Sequence, residues 1–244
     1  MTGNAKFEGL LKAPSIQRAM KVQERLGLPQ DRPIIVAGSL RGNEYRDVLE
    51  ALSILKTRGL NPLLILVPRH LDRVEEVCDW AKQKGFSVVR LSRKKDLPMK
   101  LFDCLVVDTI GLLFDLYSLC DVAFVGGTLE PKGGQNLLEP ASWQKPVVFG
   151  PHYENFLQAG EALLSEGGGL MVSNALELAD ALERVICKRD ERVALGVKAR
   201  KALESLGRGA ATIQAKVLFN VLKGKEIFKI RQLGQSLTDS EEGS

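Results

Sequence analysis

Seven short apolar runs alternate with helical segments along this chain, and this alternation constrains its fold more than any other feature. Most of these runs are continuously apolar instead of alternating with polar residues, which is typical of strands that helices cover on both faces. They lie at residues 33–37, 63–67, 86–91, 104–107, 122–125, 146–149 and 169–172. The pattern predicts a doubly wound parallel α/β sheet of the Rossmann-like class, six or seven strands wide.

Helical segments separate the predicted strands. They are expected at residues 15–26, 43–59, 72–84, 112–120, 155–165, 174–188 and 190–223, with a further short helix that starts near residue 136. Residues 1–7 have the composition of a linker and not of a first structural element. We therefore expect a linker and lead-in helix over residues 1–30, one Rossmann-like domain over 31–223 and a polar C-terminal tail over 224–244.

Composition excludes several classes of function. The chain has 34 Lys and Arg against 30 Asp and Glu, a net charge of +4, and only 6% aromatic residues, so nucleic-acid binding is not expected. The four cysteines have no zinc-type spacing, and two histidines exclude a site with three histidine ligands. We expect no metal and no cofactor. No apolar stretch approaches the roughly 20 residues of a membrane-spanning helix.

The stretch from Val122 to Trp143 has the composition of an anion-binding site. A strand ends at Gly126 and Gly127, and a second glycine pair follows at 133–134. Glycines let backbone N–H groups approach an oxyanion closely. Asn136 and Glu139 are three residues apart at the start of a predicted helix, so they share one face. Each glycine pair alone would favour an ordinary turn, but the combination favours a phosphate or sugar-nucleotide site.

Four other predicted strands also end in polar or glycine-containing loops. In a parallel sheet such loops meet at the edge where ligands bind. They are Gly38–Ser39, Pro68–Arg69–His70, Asp108–Thr109–Ile110–Gly111 and Gly150–Pro151–His152. Arg69 would present a guanidinium fork to a phosphate or carboxylate. The motifs of dinucleotide-binding domains, P-loops and serine hydrolases are absent from the sequence.

Several segments of the sequence closely resemble the motifs of one enzyme family. The segments at 125–140, 145–152 and 154–156 are similar to motifs of 3-deoxy-D-manno-octulosonic acid (Kdo) transferases. Residues 36–39, 68–70 and 108–111 occur where that family has related motifs, and residues 2–7 resemble its interdomain junction. The resemblance implies the C-terminal, donor-binding half of a two-domain GT-B glycosyltransferase.

The resemblance also implies a reaction and its partners. Kdo would pass from CMP-Kdo to a lipid A precursor in lipopolysaccharide biosynthesis, at the cytoplasmic face of the bacterial inner membrane. The family's N-terminal half carries the membrane anchor, the acceptor surface and the catalytic carboxylate. No catalytic residue is therefore expected in this chain, which would be inactive without a separate N-terminal half.

The resemblance implies roles for individual residues. Arg69 would contact the donor phosphate, Thr109 to Gly111 would hold cytosine through backbone groups, and Glu139 would bind ribose hydroxyls. The full expected donor site is Ser39, Arg69, His70, Thr109, Ile110, Gly111, Gly126, Gly127, Thr128, Asn136 and Glu139. The sequence departs from the family at Leu112, Gln135 and Leu137, where Glu, His and Pro are usual. Gln135 donates hydrogen bonds but carries no positive charge.

Two other interpretations remain open from the sequence. One is a non-catalytic or split nucleotide-binding module that lacks its acceptor domain. The other is a different GT-B enzyme, of the sugar-nucleotide epimerase type, which would prefer UDP to CMP.

Overall fold

The computed structural model describes residues 5–29, 31–93 and 102–207 of the 244-residue chain. The tail predicted over 224–244 and the end of the helix predicted over 190–223 lie outside these residues. Within them, seven strands alternate with helices. The strands are β1 (Ile34–Leu40), β2 (Leu63–Pro68), β3 (Val88–Arg90), β4 (Cys104–Val106), β5 (Val122–Val125), β6 (Val147–Phe149) and β7 (Gly169–Met171).

Nine α-helices belong to the described part of the chain. They are α1 (Ala5–Lys12), α2 (Ile16–Leu26), α3 (Glu44–Thr57), α4 (Val74–Gln83), α5 (Leu113–Leu116), α6 (Leu138–Ser142), α7 (Leu157–Ser165), α8 (Ala175–Cys187) and α9 (Arg189–Gly207). Short 3₁₀ turns occupy Leu71–Arg73, Leu91–Arg93, Tyr117–Leu119 and Glu154–Phe156. None of the described helices is both long enough and apolar enough to cross a bilayer.

All seven strands form one parallel sheet, in the order β3-β4-β2-β1-β5-β6-β7. The chain builds the half that contains β2, β3 and β4 first, and then crosses to the other side of β1 to add β5, β6 and β7. The direction of winding therefore reverses between β1 and β5, which are neighbours in the sheet. In doubly wound folds this switch point leaves a crevice beyond the carboxyl ends of the strands.

The sheet is covered on both faces, as its continuous apolar strands predict. Ile35 and Ala37 of β1 pack into one buried cluster with helices α3, α4 and α8. Ile34 and Val36 of the same strand pack into another cluster on the opposite face, with α2. Successive side chains of a strand point to opposite faces, so a strand buried on both sides must be apolar throughout. The prediction of a doubly wound parallel sheet is confirmed.

Two local features differ from the sequence-based expectation. A helix, α1, begins at Ala5, where residues 5–7 were expected to belong to a linker. Its residues Phe7, Leu10 and Leu11 pack against the buried cluster that α6 and α9 help to form, and this packing stabilises a helix too short to persist alone. Strand β1 also continues past residue 37 to Leu40, with an irregular register between Gly38 and Leu40.

Candidate functional site

A cavity of about 390 Å³ opens at the switch point of the sheet. This volume lies within the range of small-molecule sites. The ends of β1, β2 and β5, the loop before α5, and helix α6 all contribute to its wall. The lining residues are Ser39, Arg69, Gly111, Leu113, Phe114, Tyr117, Val125, Gln135, Asn136, Glu139 and Phe156.

Five of the eleven predicted site residues line this cavity: Ser39, Arg69, Gly111, Asn136 and Glu139. The remaining six lie within three positions of a lining residue along the chain. In the loop before Gly111, the Thr109 hydroxyl is enclosed without a hydrogen-bond partner and the Ile110 side chain is 86% exposed. The exposed His70 follows Arg69 and does not line the cavity. The structure therefore gathers the predicted residues at one edge of the sheet.

Ser39 has an unusual backbone conformation at the cavity wall. Its φ of 55° lies in the left-handed region, which residues other than glycine seldom adopt. The residue coincides with the register irregularity at the end of β1. Strained residues of this kind concentrate at functional sites, where the surrounding structure holds them in place.

Glu139 is the carboxylate of the cavity. Burial raises its pKa, while a hydrogen bond from Asn136 and the positive charge of Arg69 act to lower it. The Asn136 amide nitrogen lies 3.2 Å from the Glu139 carboxylate oxygen, as the three-residue spacing predicts. Within the described residues, Arg69 forms no ion pair and its side chain makes no hydrogen bond. The cavity thus combines a half-buried carboxylate with an unpaired guanidinium.

Helix α6, which starts near these residues, is only five residues long. Its aligned peptide dipoles are few, so the helix contributes little to anion binding.

The backbone amides of Gly126, Gly127 and Thr128 already have partners within the chain. The Gly126 amide donates to the carbonyl of Gly38 at 2.8 Å. The amides of Gly127 and Thr128 donate to the carboxylate of Glu44, at 2.5 and 2.7 Å. A side chain at Gly126 would place its Cβ 2.7 Å from the Cα of Leu40, so this glycine is required by the close approach of β1.

Glu44 is a buried carboxylate that the sequence analysis did not single out. It begins helix α3, has no exposed surface, and accepts hydrogen bonds from four backbone amides. The donors are Arg41, Gly127, Thr128 and Leu129, at distances of 2.5 to 2.9 Å. The glycine-rich loop therefore does bind an oxyanion, and that oxyanion belongs to the protein itself.

Three aromatic residues that were not predicted from the sequence form one side of the cavity. Phe114 and Tyr117 are three residues apart in the segment after β4, and Phe156 precedes α7. Residues with this spacing share a helix face, and the segment directly follows a loop that was expected at the site. That combination was the available signal for Phe114 and Tyr117.

A second cavity adjoins the first. It measures about 610 Å³ and shares Asn136 and Phe156 with the smaller cavity. Phe7 and Leu10 of α1 form one part of its wall, and residues 154–159 form another. The two cavities together can hold a ligand larger than either one alone.

Comparison with known proteins identifies relatives of this chain. No family model matches the chain. The 3-deoxy-D-manno-octulosonic acid transferase of Haemophilus influenzae is 36% identical over 192 residues, which cover 76% of this chain and 42% of that protein. The Bordetella pertussis enzyme of the same name is 31% identical over 203 residues, 82% of this chain and 46% of that protein. The chain is homologous to the Kdo transferases. It spans less than half the length of these relatives.

Comparison with solved structures shows which part of a Kdo transferase this homologue resembles. The C-terminal CMP-Kdo binding domain of WaaA from Acinetobacter baumannii superposes with a TM-score of 0.70 at 28% identity. The match covers 78% of this chain and 97% of that domain. The Anabaena protein HepE, solved with UDP and glucose, has a TM-score of 0.62 at 15% identity, which reflects a shared GT-B fold.

The four hydrogen bonds to Glu44 predict a large effect of its removal. Replacement Glu44→Ala leaves four backbone amides, two of them buried and two partly buried, without their acceptor. We expect it to lower the free energy of unfolding by about 3 kcal/mol or more. Chemical denaturation measures this change. Glu50→Ala is the matched control on the same helix, because Glu50 makes only a surface ion pair with Lys84 and should contribute less than about 1 kcal/mol. Equal losses in both variants would contradict the role of Glu44.

The raised pKa of Glu139 predicts a pH-dependent gain of stability in the variant Glu139→Gln. A carboxyl whose pKa is higher in the folded state destabilises the fold increasingly as pH rises above its ordinary value of 4.5. Removing the charge should therefore raise the thermal midpoint relative to the native chain at pH 7, and the difference should vanish below pH 4.5. Glu161→Gln, at an exposed position on α7, should show no such difference. A lower midpoint for Glu139→Gln at pH 7 would refute the prediction.

Proposed function

We propose that this chain binds CMP-Kdo as the donor-binding domain of a Kdo transferase. The observation that carries the proposal is that Arg69 and Glu139 line one cavity at the switch point of the sheet. CMP presents one phosphate and a ribose diol, so a guanidinium and a carboxylate in the same cavity match its two polar ends. The structural match extends over 97% of the CMP-Kdo binding domain of WaaA, and this supports the same ligand.

Arg69 is the proposed phosphate ligand. Its guanidinium stands at the end of β2 without an ion-pair partner among the described residues, while the amides of Gly127 and Thr128 donate to Glu44. In this proposal the glycine loop frames the cavity, and Asn136 assists from the facing wall. His70, beside Arg69, contacts the donor from the rim.

Glu139 is the proposed partner of the ribose hydroxyls. Two hydroxyl donors would stabilise its ionised form and replace the water that burial removes. The backbone of Thr109, Ile110 and Gly111 is proposed to hold the cytosine. Gly111 has a φ of 90°, which lets this loop turn towards the cavity without a side chain.

The Kdo sugar is proposed to lie between Ser39 and the larger cavity. Asn136 and Phe156 line both cavities, so a donor that extends past them occupies the two in sequence. Gln135 lines the smaller cavity at a position where His is usual in the family, and it can donate hydrogen bonds but cannot carry a positive charge.

The complete reaction is proposed from the relatives. Kdo would be transferred to a lipid A precursor in lipopolysaccharide biosynthesis, with peripheral contact to the cytoplasmic face of the inner membrane. The catalytic carboxylate and the acceptor surface would come from the part of the relatives that this chain does not match. Two domains that close on donor and acceptor would supply the orientation that transfer requires.

Calorimetric titration of residues 1–244 tests the donor assignment. We expect CMP to bind, and UMP and NAD to bind more weakly or not at all, because the site is proposed to recognise cytosine and a single phosphate. A preference for UMP would contradict the proposal. Transfer of Kdo by residues 1–244 alone would contradict the placement of the catalytic carboxylate outside them.

The variant Glu139→Ala tests the site itself. Loss of charge-assisted hydrogen bonds to the ribose should weaken CMP binding by about 1–3 kcal/mol, without disturbing the fold. Glu161→Ala removes a carboxylate that lines neither cavity and should leave the affinity unchanged. If both variants bind CMP like the native chain, Glu139 does not contact the nucleotide.

A further inference from the structure

The hydroxyl group of Tyr117 has no hydrogen-bond partner in the part of the chain that the structure describes. The residue begins the 3₁₀ turn Tyr117–Leu119, is 1% exposed and lines the smaller cavity. Among the described residues, its hydroxyl makes no hydrogen bond. Buried tyrosine hydroxyls nearly always have a partner, because an unpaired one loses its hydration without compensation.

The Tyr117 oxygen retains contact with the cavity. Six side-chain polar atoms of the described residues are fully enclosed and have no hydrogen-bond partner. The Tyr117 hydroxyl also has no partner among these residues, but it is not one of the fully enclosed atoms. Its oxygen therefore keeps the small exposed surface that the residue has. This oxygen lies against the end of β1, where a Cβ on Gly38 would overlap it. The hydroxyl thus forms part of the floor of the cavity, beside the strained Ser39.

Burial and, after it, the nearby negative charge keep the Tyr117 hydroxyl protonated. Burial raises the pKa of Tyr117 well above its ordinary value, and the negative charge of Glu139 raises it further. At neutral pH the group is therefore a hydrogen-bond donor. The described residues offer it no acceptor, while the ligand proposed for this cavity is rich in oxygen atoms.

We propose that Tyr117 binds the nucleotide directly, by donating a hydrogen bond to a ligand oxygen at the floor of the cavity between Ser39 and Glu139. The ligand is a nucleoside monophosphate or its sugar conjugate, so this inference rests on the proposed function. It adds a contact that neither the sequence motifs nor the predicted site residues contain.

Tyr45 supplies a matched comparison for the alternative, a purely structural tyrosine. It is equally buried, at 1% exposed, and lines neither cavity. Its hydroxyl donates to Glu76 at 2.6 Å and accepts from Arg46 at 3.2 Å. A tyrosine that serves the fold has its hydroxyl paired in this way.

The two variants Tyr117→Phe and Tyr45→Phe separate the two roles. Tyr117→Phe removes a hydroxyl that has no partner in residues 5–29, 31–93 and 102–207, so the thermal midpoint should stay the same or rise, while the Kd for CMP should increase about fivefold or more. Tyr45→Phe removes a paired hydroxyl, so its midpoint should fall and its Kd for CMP should stay unchanged. Calorimetry and thermal unfolding on residues 1–244 give both values.

Titration with cytidine identifies the ligand oxygen. If the hydroxyl donates to the phosphate, Tyr117→Phe weakens CMP binding and leaves cytidine binding unchanged. If it donates to the nucleoside, both affinities fall. Either result supports the inference.

Two results overturn the inference alone: equal CMP affinity in the native chain and Tyr117→Phe, or a fall in the midpoint of Tyr117→Phe similar to that of Tyr45→Phe. A native chain without affinity for CMP overturns the proposed function and this inference with it, so the two failures are distinguishable.

Discussion

The buried carboxylate of Glu44 is the interaction on which the shape of the site depends. A carboxylate without contact to water is costly unless hydrogen bonds replace its hydration, and four backbone amides do so here. These bonds join the start of α3 to the loop after β5. They fix that loop against the end of β1, where Gly126 permits the close approach. With the loop held in this position, the following residues carry Asn136 and Glu139 to the cavity wall.

The topology of the sheet explains why distant residues share one cavity. Ser39, Arg69 and Glu139 are separated by 30 and 70 positions in the sequence. They meet because parallel strands end at the same edge, and because β5 is placed beside β1 after the chain has completed the other half of the sheet. The chain leaves β1 towards β2 and leaves β5 towards β6, in opposite directions along the sheet, so a crevice remains between their carboxyl ends. The fold supplies the crevice, and the loops supply its chemistry.

The sequence predicted the strands and the edge of the sheet, since continuous apolar runs and the polar loops after them are local signals. It missed α1, because Phe7 and Leu10 are helical only with a surface to pack on. It assigned the loop amides to a ligand, because a glycine pair signals a bound oxyanion without saying which oxyanion. The acid that fills this role, Glu44, resembles an ordinary first-turn glutamate in the sequence. Tyr117 was missed because spacing alone does not say which face of a helix meets a cavity.

The buried carboxylate beside the cavity is fully hydrogen-bonded, whereas polar groups in the cavity itself are incompletely satisfied. Glu44 is saturated with donors and contributes to stability. By contrast, burial raises the pKa of Glu139, the Tyr117 hydroxyl has no acceptor among the described residues, and Ser39 has a strained backbone. Each of these three features costs free energy in the free chain, and all three occur in one cavity of about 390 Å³. A polar ligand that supplies hydroxyl donors to the carboxylate and an acceptor to the phenol would offset two of these costs on binding. The shared location of the three therefore argues for a ligand site more strongly than any one of them does alone.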